Sequence, residues 1–355
     1  MLLNGIFPPV TTPFYPDGKV YYKKLEANIE HYSKTPIGGI VIQGSTGEAI
    51  LLSDEEKREV LKTAIEAAAA EKVMIAGCGI ESAIETLRLI EYAAEAGYDL
   101  AMVRTPHYYR GQMNRPENML AFYRTVADRS PLPIVIYNFP QATGYDIPAE
   151  LVVELSEHPN IVSIKESCGV IEKVALMIQK TRHIKRTATV TERFEPVTGR
   201  MLKKARSASA ASGGVIPAEA LGAQKPSSAA VQVVGNLKTR QKEVGFQVLT
   251  GSANKLFASL EVGAVGAILA FADPAPTACY EVYAAYKDGD KKLAQEKQAR
   301  IAEAAVRIVG EMSIPAVKYA MDLNGFYGGT PRLPLLPLTA GAKAEVERLM
   351  ANIKN

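Results

Sequence analysis

A parallel (β/α)8 TIM barrel with a C-terminal helical extension is the fold class this sequence predicts, on three observations. Eight short runs of mostly β-branched and apolar residues alternate with longer amphipathic stretches, the pattern of strand–helix units around one parallel sheet. Polar residues gather just after those runs, where barrels of this kind build their sites. One run, Ile161-Val162-Ser163-Ile164, ends in a lysine, Lys165. An ammonium at the end of a buried strand is costly to desolvate, which favours the neutral, nucleophilic amine.

Taken in order, the first strand falls near Gly5 to Val10 and the second at Ile40-Val41-Ile42. A helix from about Ser53 to Ala70 follows, opening with Ser53 and Glu56 at capping-box spacing. Val73 to Ala76 is the third strand, with a helix from about Ser82 to Ala96. Ala101-Met102-Val103 is the fourth, with a helix starting near Pro116, and Ile134 to Tyr137 is the fifth, with a helix near Pro148 to Glu157. Ile161 to Lys165 is the sixth, followed by a helix from Ile171 to about Lys180. Phe246 to Leu249 and Val265 to Ile268 complete the set. The barrel is expected over 1–273 and the helical extension, an oligomer surface, over 274–355.

About 60 residues, 185–244, exceed the roughly 2–6 residues of a normal connection. They hold eleven Lys or Arg and four Asp or Glu, a balance of +7, with one aromatic, Phe194. That composition predicts a mostly disordered basic insertion. Because it follows a helix, it is expected at the end of the barrel opposite the chemistry.

Composition excludes several function classes. A net charge of +3 over 355 residues gives no electrostatic case for nucleic acid or an anionic membrane. No apolar run reaches the roughly 20 residues of a bilayer span, and no signal peptide is expected. Cys78, Cys168 and Cys279 are widely spaced, which fits a reducing, cytoplasmic compartment. They and the four scattered histidines give no metal-ligand spacing, so neither metal nor cofactor is expected.

Side chains alternate along a strand, so Val135 and Tyr137 share one face, as do Ser163 and Lys165. If the polar ends face the barrel axis, Tyr137 and Lys165 enter one pocket from adjacent strands. The strings at the strand ends are Gly44-Ser45-Thr46-Gly47-Glu48, Thr105-Pro106-His107-Tyr108-Tyr109, Tyr137-Asn138-Phe139-Pro140, Ile164-Lys165-Glu166-Ser167 and Gly251-Ser252. Together, in this order, they resemble the dihydrodipicolinate synthase / N-acetylneuraminate lyase family of class I pyruvate aldolases, over nearly the whole chain except 185–244.

The resemblance implies that Lys165 forms a Schiff base with pyruvate or another 2-oxo acid, and that Tyr137 moves protons at the imine and at the substrate oxygen. Ser45 would link Tyr137 to a second tyrosine, Tyr108, reaching in from a neighbouring subunit of a homotetramer built as a dimer of dimers. Thr46 and nearby N–H groups would hold the pyruvate carboxylate, and the backbones of Gly251 and Ile268 would line the pocket. The second substrate is an aldehyde.

Within the family, synthases carry an arginine two residues past the proline after the fifth-strand tyrosine, where it binds the aldehyde's carboxylate; here that position is Ala142. Gln43-Gly44-Ser45, Tyr108-Tyr109-Arg110-Gly111, His158-Pro159-Asn160-Ile161-Val162 and Tyr327-Gly328-Gly329 are instead similar to 4-hydroxy-2-oxoglutarate aldolase, which yields pyruvate and glyoxylate. Arg110 would then supply the cation for a second carboxylate. Synthase activity and sugar-acid aldolase or dehydratase activity remain alternatives.

Overall fold

The computed structural model describes residues 1–211, 231–234 and 237–354. Eight parallel strands close into a barrel: Gly5–Phe7 (β1), Gly39–Ile42 (β2), Val73–Gly77 (β3), Leu100–Arg104 (β4), Ile134–Asn138 (β5), Ile161–Glu166 (β6) and, beyond the insertion, Gln247–Thr250 (β10) and Gly266–Ile268 (β11). Their order is β1-β11-β10-β6-β5-β4-β3-β2. Closure between β1 and β2 comes from the Val10 N–H on the Val41 carbonyl and the Gly38 N–H on the Ile6 carbonyl, each 3.0 Å.

Strand alternation sorts the core into two. Phe7, Val41, Val73, Ile75, Leu100, Met102, Val135, Tyr137, Leu249 and Ile268 fill the barrel interior. The alternate residues, such as Ile40, Ile134, Ile136 and Ile164, pack outward against the helices. The helices begin where local chemistry says they should. Ser53 caps Asp54–Ala67 in a complete capping box, and Pro116 sits in the first turn of Pro116–Arg129.

Two expectations about domains need correction. The barrel does not stop at residue 273, because its eighth helix, Pro276–Lys287, packs against β1. The extension proper therefore begins after that helix, with Lys291–Ala304, Ser313–Leu323 and Ala340–Met350.

The second correction concerns the insertion, much of which is ordered. Arg186–Thr191 (β7), Gln232–Val234 (β8) and Leu237–Val244 (β9) form an antiparallel sheet in the order β7-β9-β8, and Gly199–Ala211 is a helix. The expectation of disorder for 212–230 and 235–236 lies outside the described residues. Overall composition concealed the period-2 pattern of Arg186-Thr187-Ala188-Thr189-Val190-Thr191, whose Ala188 and Val190 are buried with Leu2. Thr198 donates to the Ala70 carbonyl, Arg200 to the carbonyls of Ala68 and Lys72, and Asp99 accepts from the Gly199 N–H. Arg186 donates to the carbonyls of Ser156, His158 and Ile161. All these partners lie at the starts of barrel strands, so the insertion caps the end remote from Lys165.

At the other end, the extension grips the turn after β2. Lys318 and Glu48, both fully buried, form an ion pair of 2.5 Å. Lys318 also donates to the Thr12 and Thr330 carbonyls, and Glu48 accepts from the Arg332 N–H. Burial lowers the pKa of Lys318, while the Glu48 charge works against that shift. Removing one member strands the other charge in the core. Lys318→Met is therefore expected to destabilise the fold by about 3–5 kcal/mol, seen as an earlier midpoint in denaturant unfolding, and Glu48→Gln/Lys318→Met by less.

Candidate active site

Lys165 is 4% exposed and its Nζ lies 4.0 Å from the centroid of the Tyr137 ring. The two residues face each other directly across β5 and β6. That pairing depends on an irregularity: Ile134 pairs with Ile161 but Val135 pairs with Ser163, so Val162 is passed over. Both Val162 and Tyr137 pack with the interior cluster, and Ser163 and Lys165 fall on the inner side.

The Tyr137 hydroxyl donates to Ser45 Oγ at 3.3 Å. Ser45 and Thr46 occupy a tight turn in which the Gly47 N–H bonds the Gly44 carbonyl and the Glu48 N–H bonds the Ser45 carbonyl. Glu48 takes the left-handed conformation at φ 55°. Among the described residues the Ser45 and Thr46 N–H groups have no hydrogen-bond partner, which leaves them open to an anion.

Gly251 follows β10, and a side chain there would bring a Cβ to 1.9 Å from Ser167 Oγ, so glycine is required by close approach. Ile268 ends β11 inside the barrel. Lys165, Tyr137, Ser45, Thr46, Gly251 and Ile268 thus gather at one end of the barrel.

Tyr108 and Arg110 do not join them in the same way. Tyr108 is 75% exposed and, among the described residues, its one ring contact is with Tyr109, edge to face at 5.2 Å. Within this chain no hydrogen bond carries it to Ser45 among the described residues. Arg110 is exposed, and its guanidinium lies over Gly144 so closely that a Cβ there would be 2.9 Å from Cζ. Its cation therefore reaches Gly144, which ends the short helix Pro140–Thr143 that carries Ala142.

Three further charged residues at this end, Arg104, Glu81 and Asp273, carry no motif that marks them in the sequence. Arg104 ends β4 opposite Tyr137 and donates to Glu81 at 2.9 Å. Glu81 Oε2 also accepts the His107 and Tyr108 N–H groups at 2.9 and 3.0 Å. Burial works to raise the Glu81 pKa, but those N–H bonds and Arg104 outweigh it and hold the carboxyl below its usual range. Asp273, just past β11, is fully buried with neither carboxyl oxygen hydrogen-bonded among the described residues. Burial drives its pKa well above the usual range, opposed by the Lys165 charge. The available signals were charged residues at strand ends: Arg104 after an apolar run, and Asp273 between Ala272 and Pro274.

Asp146, Glu166 and Cys168 bring three ligand-type atoms within 4.8 Å of one another. The positive charge among them is supplied by Lys173, paired with Asp146 and, at 3.2 Å, with Glu166.

A buried amine, a tyrosine hydroxyl and open N–H groups supply a nucleophile, a proton carrier and an anion cradle, the set that carbonyl addition to a 2-oxo acid needs. A barrel with these groups at its mouth belongs among the lyases that work on pyruvate. More particularly, the chain is a member of the Dihydrodipicolinate synthetase family, whose sequence profile matches residues 2–195 and 216–353. A protein of Methanothrix thermoacetophila named 4-hydroxy-tetrahydrodipicolinate synthase is 29% identical over 356 residues, covering 100% of this chain and 98% of its own. Another of that name, from Methanosarcina barkeri, is 28% identical over 339 residues, covering 95% and 94%. Among solved structures, YagE, a prophage protein of E. coli K12 in complex with pyruvate, has a TM-score of 0.75 at 25% identity, covering 99% of each chain. These names favour the synthase alternative over the 4-hydroxy-2-oxoglutarate aldolase that the short motifs suggested.

No helix among the described residues is long and apolar enough to cross a membrane. Gly251→Ala is expected to cost about 1–3 kcal/mol through overpacking. Gly111→Ala, with nothing within 4 Å of the new Cβ, should leave the melting temperature almost unmoved in the same thermal scan.

Proposed function

We propose that this protein is a Schiff-base-forming lyase that joins pyruvate to, or releases it from, a carboxylate-bearing aldehyde. The observation that carries this reading is the Lys165 amine, buried 4.0 Å from the Tyr137 ring centroid, with the tyrosine hydroxyl tied to Ser45. The amine adds to the pyruvate C2 carbonyl, Tyr137 gives its proton to the departing oxygen and water leaves, giving an iminium. The Tyr137 oxygen then takes a C3 proton and an enamine forms, because the iminium accepts the electron pair. The enamine attacks the aldehyde carbon, the new alkoxide takes a proton from Tyr137, and water hydrolyses the product imine to free Lys165. The Ser45 and Thr46 N–H groups bind the pyruvate carboxylate, with Gly251 and Ile268 as the far wall. Tyr108, exposed in one chain, completes the hydroxyl relay from a second copy in a homotetramer.

For the aldehyde, the names of the curated relatives support synthesis of 4-hydroxy-tetrahydrodipicolinate. Ala142 removes the arginine expected of that activity, so another guanidinium at this end of the barrel must meet the carboxylate; Arg104 and Arg110, which lies over Gly144 two residues past Ala142, are the two at hand. A second reading, cleavage of 4-hydroxy-2-oxoglutarate, rests on Ala142 and on the Tyr108 to Gly111 string.

Product analysis by mass spectrometry separates the two. Pyruvate with aspartate 4-semialdehyde should give the condensed product faster than pyruvate with glyoxylate. The reverse preference would select the second reading, and no product with any aldehyde would contradict both. Tyr137→Phe keeps the ring over Lys165 but lacks the hydroxyl, so kcat should fall by about 10²- to 10⁴-fold with circular dichroism unchanged.

A further inference from the structure

We infer that Arg104 determines which aldehyde this enzyme accepts, by gripping the carboxylate at the aldehyde's far end; this deepens the proposed function and rests on it. Arg104 comes from β4, two residues beyond Met102 and four beyond Leu100, both of which fill the barrel interior. Alternation therefore gives Arg104 the same inward face, one step nearer the mouth. In the sheet, β4 lies between β3 and β5, and Arg104 pairs in register with Tyr137. Arg104 thus stands at the rim beside Tyr137 in the sheet, with its stem along Gly79 and its guanidinium on Glu81, the Thr105 carbonyl and His107. A Cβ at Gly79 would stand 2.6 Å from Arg104 Cγ, so glycine there opens the path along which the arginine lies.

The bonding of the guanidinium is one-sided. Nη1 donates to Glu81 at 2.9 Å and to the Thr105 carbonyl at 3.3 Å, and lies 2.7 Å from His107 Nδ1. Nε and Nη2 have no hydrogen-bond partner among the described residues. Those two N–H groups form the side-on fork that matches a carboxylate bidentately. His107 Nδ1 is also 2.6 Å from Glu81 Oε1, so the ring accepts from Arg104 in one tautomer and donates to Glu81 in the other. Burial, then the Arg104 charge, lower the His107 pKa, and the neutral ring adds no competing cation at pH 7.

Glu81 fixes the arrangement. Its carboxylate holds Arg104 with one oxygen and the His107 and Tyr108 N–H groups with the other, so the same acid sets both the guanidinium and the loop that carries Tyr108. Arg104 is the specificity-determining residue and Glu81 its positioning residue. Arg110 differs in being exposed and in lying over Gly144 rather than pairing in register with Tyr137.

The test uses the full-length protein as Arg104→Met, Arg104→Lys, Glu81→Gln and Arg110→Met, each read two ways. Borohydride trapping of pyruvate needs no aldehyde and reports the imine alone. Steady-state turnover with aspartate 4-semialdehyde or glyoxylate, against neutral glycolaldehyde, reports the aldehyde. Arg104→Met should trap pyruvate at the parent's rate. Its kcat/KM should fall about 10- to 100-fold for the two carboxylate aldehydes, as expected for a lost charged hydrogen-bond pair, and by less than about threefold for glycolaldehyde. Arg104→Lys, which keeps the charge without the fork, should recover only part of that loss, and Glu81→Gln should show a smaller loss of the same selectivity. Equal losses for charged and neutral aldehydes, impaired trapping in Arg104→Met, or selectivity lost only in Arg110→Met would each overturn the inference. A parent protein that traps no pyruvate would instead remove the reading on which it rests.

Discussion

The site depends on one passed-over residue. Paired residues of parallel strands share a face, and side chains alternate along each strand. Continued straight from the Ile134–Ile161 pair, the register would set Tyr137 against Ile164 and turn Lys165 to the outer face. Skipping Val162 changes the count by one, and a one-residue change exchanges the two faces of everything beyond it. Tyr137 and Lys165 then meet inside the barrel, and Ile164 packs outward with the helices. The placing of the amine beneath the tyrosine ring, with the phenol hydroxyl beside it, is therefore a product of strand register more than of any loop. Arg186, from the insertion, donates to the Ile161 carbonyl at 2.7 Å beside this irregularity, so the added sheet braces the strand at the point where its register shifts.

A second constraint holds the turn that faces Lys165 from across the barrel. Ser45 and Thr46 lie in a short segment whose left-handed residue, Glu48, sends its carboxylate into the protein to meet Lys318 of the C-terminal extension. Arg332, bonded to Glu56 and to the Gly18 and Leu51 carbonyls, closes the same region. A buried charge without its partner is expensive, so the turn has little freedom to relax. The extension thus holds in place the turn that carries Ser45 and Thr46.

Much of this was legible in the sequence, for reasons specific to each feature. The barrel strands were readable because their β-branched runs are short and the helices between them carry caps such as Ser53 and Pro116. Lys165, Tyr137, Ser45 and Thr46 stood out because they follow apolar runs. The skipped Val162 was not legible, since it is a relation between two strands and each strand alone alternates regularly. The insertion was misjudged because its average composition is that of a disordered chain, whereas its folding rests on the few alternating residues of β7 and on Leu2, more than 180 positions away. Arg104 and Glu81 are 23 residues apart in sequence and become one unit only through the adjacency of β3 and β4. The short strings that resemble 4-hydroxy-2-oxoglutarate aldolase pointed to the right family and away from the activity named for its curated relatives, because a few residues around a shared lysine say little about the far end of the substrate.

The central claim is that strand register makes Lys165 the pyruvate-binding amine, and intact-mass measurement after incubation with pyruvate and borohydride tests it most directly. The account predicts a pyruvate-sized gain per chain, carried by the peptide that contains Lys165 and missing from a folded Lys165→Ala protein. A parent protein that gains no mass, or a gain mapped to any other lysine, would contradict it.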